Sequence, residues 1–141
     1  MMRNLQFFVP GIPAPGGSKR HVGHGILVDA GKHNKEWRTA VAWVGSEHCK
    51  ELFTGPLVVR FCFRFVRPQG HYGSGKNAHH VKASAPRWPA VRPDTTKLIR
   101  STEDALTGIV WRDDAQIIDQ HAYKEYAEQA GCLITISEAA A

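Results

Sequence analysis

Apolar and polar positions alternate most clearly along LVVRFCFRFV, Leu57 to Val66. Leu57, Val59, Phe61, Phe63 and Phe65 share one face, and Val58, Arg60, Cys62, Arg64 and Val66 share the other, which predicts a strand with one buried face. Arg60 and Arg64 are then solvated strand charges or part of a basic surface. LQFFV at Leu5–Val9 and GCLITIS at Gly131–Ser137 predict two further strands, Ile26–Val28 a short one, and Asp113-Asp114 opens another running through Gln116 to Glu125. Trp37, Val41, Val44 and His48 recur at helical steps, which predicts a helix over His33–Lys50 capped by Asp29 or Asn34, with Trp37 and Trp43 as core candidates. A second helix runs from Thr95 or Thr96 to Thr107. Asp94 or Thr95 is its N-cap, Gly108 its stop, and Leu98, Ile99, Thr102, Ala105 and Leu106 its buried stripe. Trp111 anchors the short link that follows.

Prolines and glycines make Pro10–Gly25 a loop, and Arg67–Pro93 a long, flexible one. The neighbours Ile117–Tyr126 and Cys132–Ile136 look like a hairpin and imply antiparallel pairing. The expectation is one α+β domain over residues 1–141, a mixed, largely antiparallel sheet packed with two main helices.

Composition narrows the class without naming it. The chain has 141 residues, 43% hydrophobic and 22% charged, an ordinary globular balance. No apolar run reaches the roughly 18–20 residues of a membrane helix, so a soluble intracellular protein is expected. Three isolated cysteines, Cys49, Cys62 and Cys132, give neither a disulfide framework nor a C-x-x-C metal site. No P-loop motif supports ATP chemistry. The eight histidines lack the tight ligand spacing of a zinc site.

Charge changes the picture more. The net charge is +5, and Arg67–Pro93 holds five Lys/Arg, three His and no acid, with Tyr72 and Trp88 among them. That mixture suits phosphate contacts and base stacking, so nucleic acid is the expected partner. Against this basic background, five of the thirteen acids fall between Asp94 and Asp114: Asp94, Glu103, Asp104, Asp113 and Asp114. Gathered carboxylates repel unless a cation joins them, and Mg²⁺ favours such oxygen ligands. A metal beside nucleic acid suggests phosphodiester hydrolysis. The helix ends lie roughly 18 Å apart by the helical rise, so the strand from Asp113-Asp114 must run back along the helix for the acids to meet. Without a cation, the same acids read as an N-cap, a helix face and a turn.

RPDTTKLIR, EDALTGIVW and RDDAQII, in unbroken spacing from Arg92 to Ile118, resemble the RusA family of Holliday junction resolvases, common in bacteriophages and prophages. PGIPAPGGSKR, HYGSGKN and KASAP resemble family segments more weakly. The resemblance implies a RusA-like fold and a homodimeric endodeoxyribonuclease. Such an enzyme binds four-way or other branched DNA in the cytoplasm of a bacterium or phage-infected host, and cuts two opposed strands with Mg²⁺ (or Mn²⁺). By position, Asp94, Asp113 and Asp114 match metal ligands, Asp104 the aspartate of the DAL motif, and Arg100 the helical lysine. Lys19, Arg20, Lys76, Lys82, Arg87 and Lys97 are the expected DNA contacts.

Two departures stand out. Thr96 replaces the second acid of the family's D-x-D, and Arg100 cannot act as a general acid near neutrality. Thr96, Arg100 and Glu103 share a helix face, so Glu103 is a candidate for the missing carboxylate, although it lies about 10 Å along the axis from Thr96. The alternative is a surface pair between Arg100 and Glu103. At the level of function, the alternatives are a branched-DNA-binding protein with weakened or lost cleavage and a less selective phage nuclease.

Overall fold

The computed structural model describes residues 2–16, 19–21, 27–29 and 33–140, with backbone alone for 19–21 and 27–29. The elements in order are β1 (Asn4–Pro10), β2 (Lys19–His21), β3 (Leu27–Asp29), α1 (Asn34–His48), β4 (Leu57–Phe65), α2 (Thr95–Leu106), β5 (Ile117–Tyr126) and β6 (Gly131–Glu138). The main sheet has the order β1-β6-β4-β5, and β2 and β3 form a separate antiparallel pair. β4 pairs with β6 antiparallel and with β5 parallel, so the α+β expectation of a mixed sheet with two helices holds.

The alternation read in β4 is the floor of the core. Leu57, Val59, Phe61 and Phe63 are buried beside Val9 of β1 and Ile134 and Ile136 of β6. Helices α1 and α2 cover this face through Trp37, Val41, Leu98 and Leu106. Trp37 Nε1 donates to Thr102 Oγ1 at 3.1 Å, a buried link between the helices. Gly45 of α1 packs against Leu106 of α2: a Cβ there would meet Leu106 Cδ2 at 2.7 Å. The three cysteines are free and buried, and burial pushes the Cys132 thiol well up, which keeps it protonated and inert.

The expected hairpin of the last two strands does not form. β4 lies between them, and β6 pairs with β1 on its other side. Burial explains it: Cys132, Ile134 and Ile136 give β6 a core face, whereas the more polar β5 (IIDQHAYKEY) suits a sheet edge. Part of the Pro10–Gly25 loop is also strand, namely β2. Trp43 is not core. It is 66% exposed, because Asn34, Trp37, Val41 and Gly45 form the buried line of α1 and Trp43 falls on the other side. Asn34 does not cap α1: His33 holds the cap position at φ 66°, and Asn34 Nδ2 donates to Pro15 O at 2.6 Å, while the side chain of Asp29, the other expected cap, lies outside the described residues. Residues Arg67–Pro93 carry two short 3-10 turns, Gln69–His71 and Gly75–Asn77, and a bridge between Tyr72 and Val81.

Candidate active site

The site is built on α2 and the turn that leads into β5. Asp94 is the N-cap of α2 in backbone terms, yet its side chain makes no capping hydrogen bond. Its carboxylate is exposed and makes no hydrogen bond or ion pair among the described residues. The segment before it is held from the sheet: Lys124 Nζ on β5 donates to Val91 O at 2.7 Å and to Pro93 O at 2.9 Å. The first half of α2 is held from the other side, where Gly16 N–H donates to Lys97 O at 2.9 Å and Ser101 Oγ donates to Ala14 O at 2.6 Å. Thr96 and Arg100 are exposed on this helix.

Helix α2 stops at Thr107, and Gly108 turns the chain at φ 88°, a left-handed conformation that costs glycine little. Trp111 is fully buried, and its Nε1 donates to Thr107 Oγ1 at 3.1 Å, so it anchors the link as expected. The acidic pair follows in a 3-10 turn, Asp114–Gln116, capped by Asp113. Asp113 Oδ1 accepts from Ala115 N–H at 2.9 Å. Gln116 completes the box. Its Oε1 accepts from Arg112 N–H and Asp113 N–H, both at 2.9 Å, and its Nε2 donates to Phe53 O at 3.0 Å and Gly55 O at 2.9 Å. Asp114 is exposed, and no hydrogen bond among the described residues engages its carboxylate.

Glu103 lies in the last half of α2, within the field of this turn's charge. Its Oε2 is buried and has no hydrogen-bond partner among the described residues. Burial first, and the charges of Asp114 and Asp104 after it, push the Glu103 carboxyl up to about 7. The Arg100–Glu103 surface pair does not form among the described residues. β5 packs against α2 and carries Lys124 to the approach to Asp94. The charges of Asp114 and Asp104 both act on Glu103. Among the described residues, no three His, Cys, Asp or Glu side chains group so as to hold a metal ion, and one oxygen of Asp113 is spent on the turn.

A buried carboxylate oxygen without a partner among the described residues, within the field of a second carboxylate, fits a hard divalent cation. Mg²⁺ commonly takes one or two carboxylates and fills its remaining positions with water and substrate phosphate.

Of the expected DNA contacts, Lys76, Lys82 and Arg87 are exposed on the loop between β4 and α2, and Lys97 is half-buried on α2. Lys19 and Arg20 stand on β2, but their side chains lie outside the described residues. Two positioning residues escaped the sequence reading. Gln116 had a signal, since an acid followed three residues later by Gln is capping-box spacing. Lys124 had none, because its partners are backbone carbonyls far away in the chain.

Residues 10–137 match the family described as "Endodeoxyribonuclease RusA". The chain is also similar to "Uncharacterized protein YqaN" of Bacillus subtilis (strain 168), 29% identical over 142 residues, covering 97% of this chain and 98% of that protein.

Proposed function

Because the chain belongs to the RusA endodeoxyribonuclease family, we propose that it is a divalent-metal-dependent, structure-selective nuclease that resolves four-way DNA junctions. The observation that carries the metal-dependent part is the orphaned Glu103 oxygen, within the field of the Asp114 charge. In this reading Asp114 and Glu103 hold Mg²⁺, so Glu103 stands in for the acid that Thr96 lacks. Asp94 offers a further uncommitted carboxylate, Asp104 adds to the negative field, and Asp113 chiefly sets the turn. When bound, the ion would supply Lewis-acid polarisation of the scissile phosphate and a lowered pKa for the attacking water.

The remaining work falls to side chains of this protein. Arg100, on the same helix face, stabilises charge on a non-bridging phosphate oxygen. Lys97 and the basic loop bind the flanking backbone. Gln116 and Lys124 keep the acidic turn and the Asp94 segment in place. Cutting two opposed strands requires two such sites, which a homodimer provides. The exposed Ile118 and Tyr123 on edge strand β5 support a second copy docking there.

A synthetic four-way junction, with and without Mg²⁺, tested beside linear duplex and Asp114→Asn, decides the matter. Paired symmetric nicks that need metal, and that fall at least ~100-fold in Asp114→Asn, support resolution. Thr96 supports a second reading, binding without cleavage, which predicts tight junction binding and no nicks. Equal cutting of linear duplex would instead indicate a less selective nuclease.

A further inference from the structure

A cleft of about 780 Å³ opens between the basic loop and the end of β5, away from the Glu103–Asp114 turn, and its walls include Arg67, Tyr72, Arg87, Trp88 and Tyr126. This volume falls in the ~300–1,000 Å³ range typical of ligand sites. Its walls are held in place. The Arg67 guanidinium lies 4.4 Å over the Tyr126 ring, and its Nη1 donates to Pro86 O at 2.7 Å. The loop is closed on itself by Gly73 N–H donating to His80 O at 3.0 Å and Lys82 N–H donating to His71 O at 2.8 Å. Trp88 remains 51% exposed, with the Arg87 guanidinium 5.1 Å over its ring.

An exposed tryptophan under a guanidinium, across from a second guanidinium–aromatic pair, is a stacking surface with cations at hand. Two acids also line the cleft, Glu125 and Glu128, but Glu125 is already paired with Arg64 at 3.0 Å. The loop itself contributes no acid between Arg67 and Pro93. A planar heterocycle attached to a phosphate meets both features, the π-faces and the positive charge. A base stacked within duplex cannot enter such a cleft, so its occupant must already be unstacked.

We propose that this cleft binds an unpaired nucleotide of DNA, stacking its base on Trp88 while Arg87 engages its phosphate. It rests on the DNA-binding reading above and adds a grip on single-stranded segments that the acidic site does not supply. The cleft then selects DNA with unpaired bases, such as an opened crossover or a gap.

The test measures binding by the full chain in EDTA, so that cleavage plays no part. The probes are a single-stranded oligodeoxynucleotide, the same sequence as RNA, a linear duplex and an intact four-way junction. Trp88→Ala is expected to weaken single-strand binding by roughly 5- to 150-fold, the range of one base–aromatic stack. Trp88→Phe should stay close to wild type, and duplex binding should not change. Equal losses on single strand and duplex, or no loss on either, would overturn the cleft while leaving junction binding intact. Tighter binding of the RNA would overturn DNA as its source. Failure of the wild type to bind any DNA, junction included, would sink the functional reading as well, and so separates the two.

Discussion

Glu103 on α2 carries a buried carboxylate oxygen within the field of the Asp114 charge before β5. Burial and then the Asp114 and Asp104 charges raise the Glu103 carboxyl to about 7, and nothing among the described residues donates a hydrogen bond to its Oε2. This relationship ties the proton affinity of Glu103 to the charge of the acidic turn.

The first consequence is in stability. The folded-state pKa of Glu103 lies above its unfolded value, so the folded protein binds this proton more tightly. The stability gained is fully present below the unfolded value and is lost as pH rises through about 7. Without metal, the Tm is expected to fall between pH 5.5 and 8. Glu103→Gln should flatten that fall and gain ~1 kcal/mol at pH 8, allowing for solvent screening of a half-exposed group. Mg²⁺ at pH 8 should raise the wild-type Tm more than that of Glu103→Gln. Thermal melts across pH, with and without Mg²⁺, check both points.

Gln116 makes four hydrogen bonds that define the turn carrying Asp114. Gln116→Ala is expected to cost ~2 kcal/mol, since the carbonyls of Phe53 and Gly55 lose their donor. Gln116→Glu should rescue little, because it replaces that donor with a negative oxygen. Urea unfolding of the two variants measures the difference, and junction cleavage should fall in both.

Lys124 acts on the other end of the site. Removing its ammonium frees the carbonyls of Val91 and Pro93 and with them the approach to Asp94. Lys124→Met is expected to lower the kcat for junction cleavage by about 10- to 100-fold, the cost of a misplaced catalytic group, while junction affinity measured in EDTA stays within a few fold. A matching loss of affinity would instead make Lys124 a DNA-binding residue.

Lys76 and Lys82 are exposed on the basic loop. If both bind phosphate, the double alanine variant should lower the slope of log affinity against log salt by about 0.9 for each phosphate no longer neutralised. Titrations of a four-way junction across a salt series read this directly. An unchanged slope would place both lysines outside the interface.

Local patterns carried much of the fold and part of the candidate site. The alternation in β4 and the stripe on α2 each report burial of one face, and burial is what the core selects. Asp94 and Asp114 were visible as acids flanking a helix. Strand order was less legible, because β5 and β6 are neighbours in sequence while their pairing depends on which has the better core face. Trp43 misled because aromatic size suggests burial, but the helix phase set by Trp37 and Val41 turns it outward. The orphaned Glu103 oxygen depends on the packing of a turn against a helix, which no spacing along the chain records.

The strand order also dictates when the molecule can fold. Both partners of β4 come later in the chain, and Asn4 of β1 faces Ser137 of β6. During synthesis the Phe-rich β4 therefore leaves the ribosome with no strand to pair with, and β1 waits for nearly the whole chain. Such long-range closure is intrinsically slow. Nascent chains lacking β6 are expected to be aggregation-prone clients of chaperones, so a shortened product would be lost to misfolding before it met any DNA.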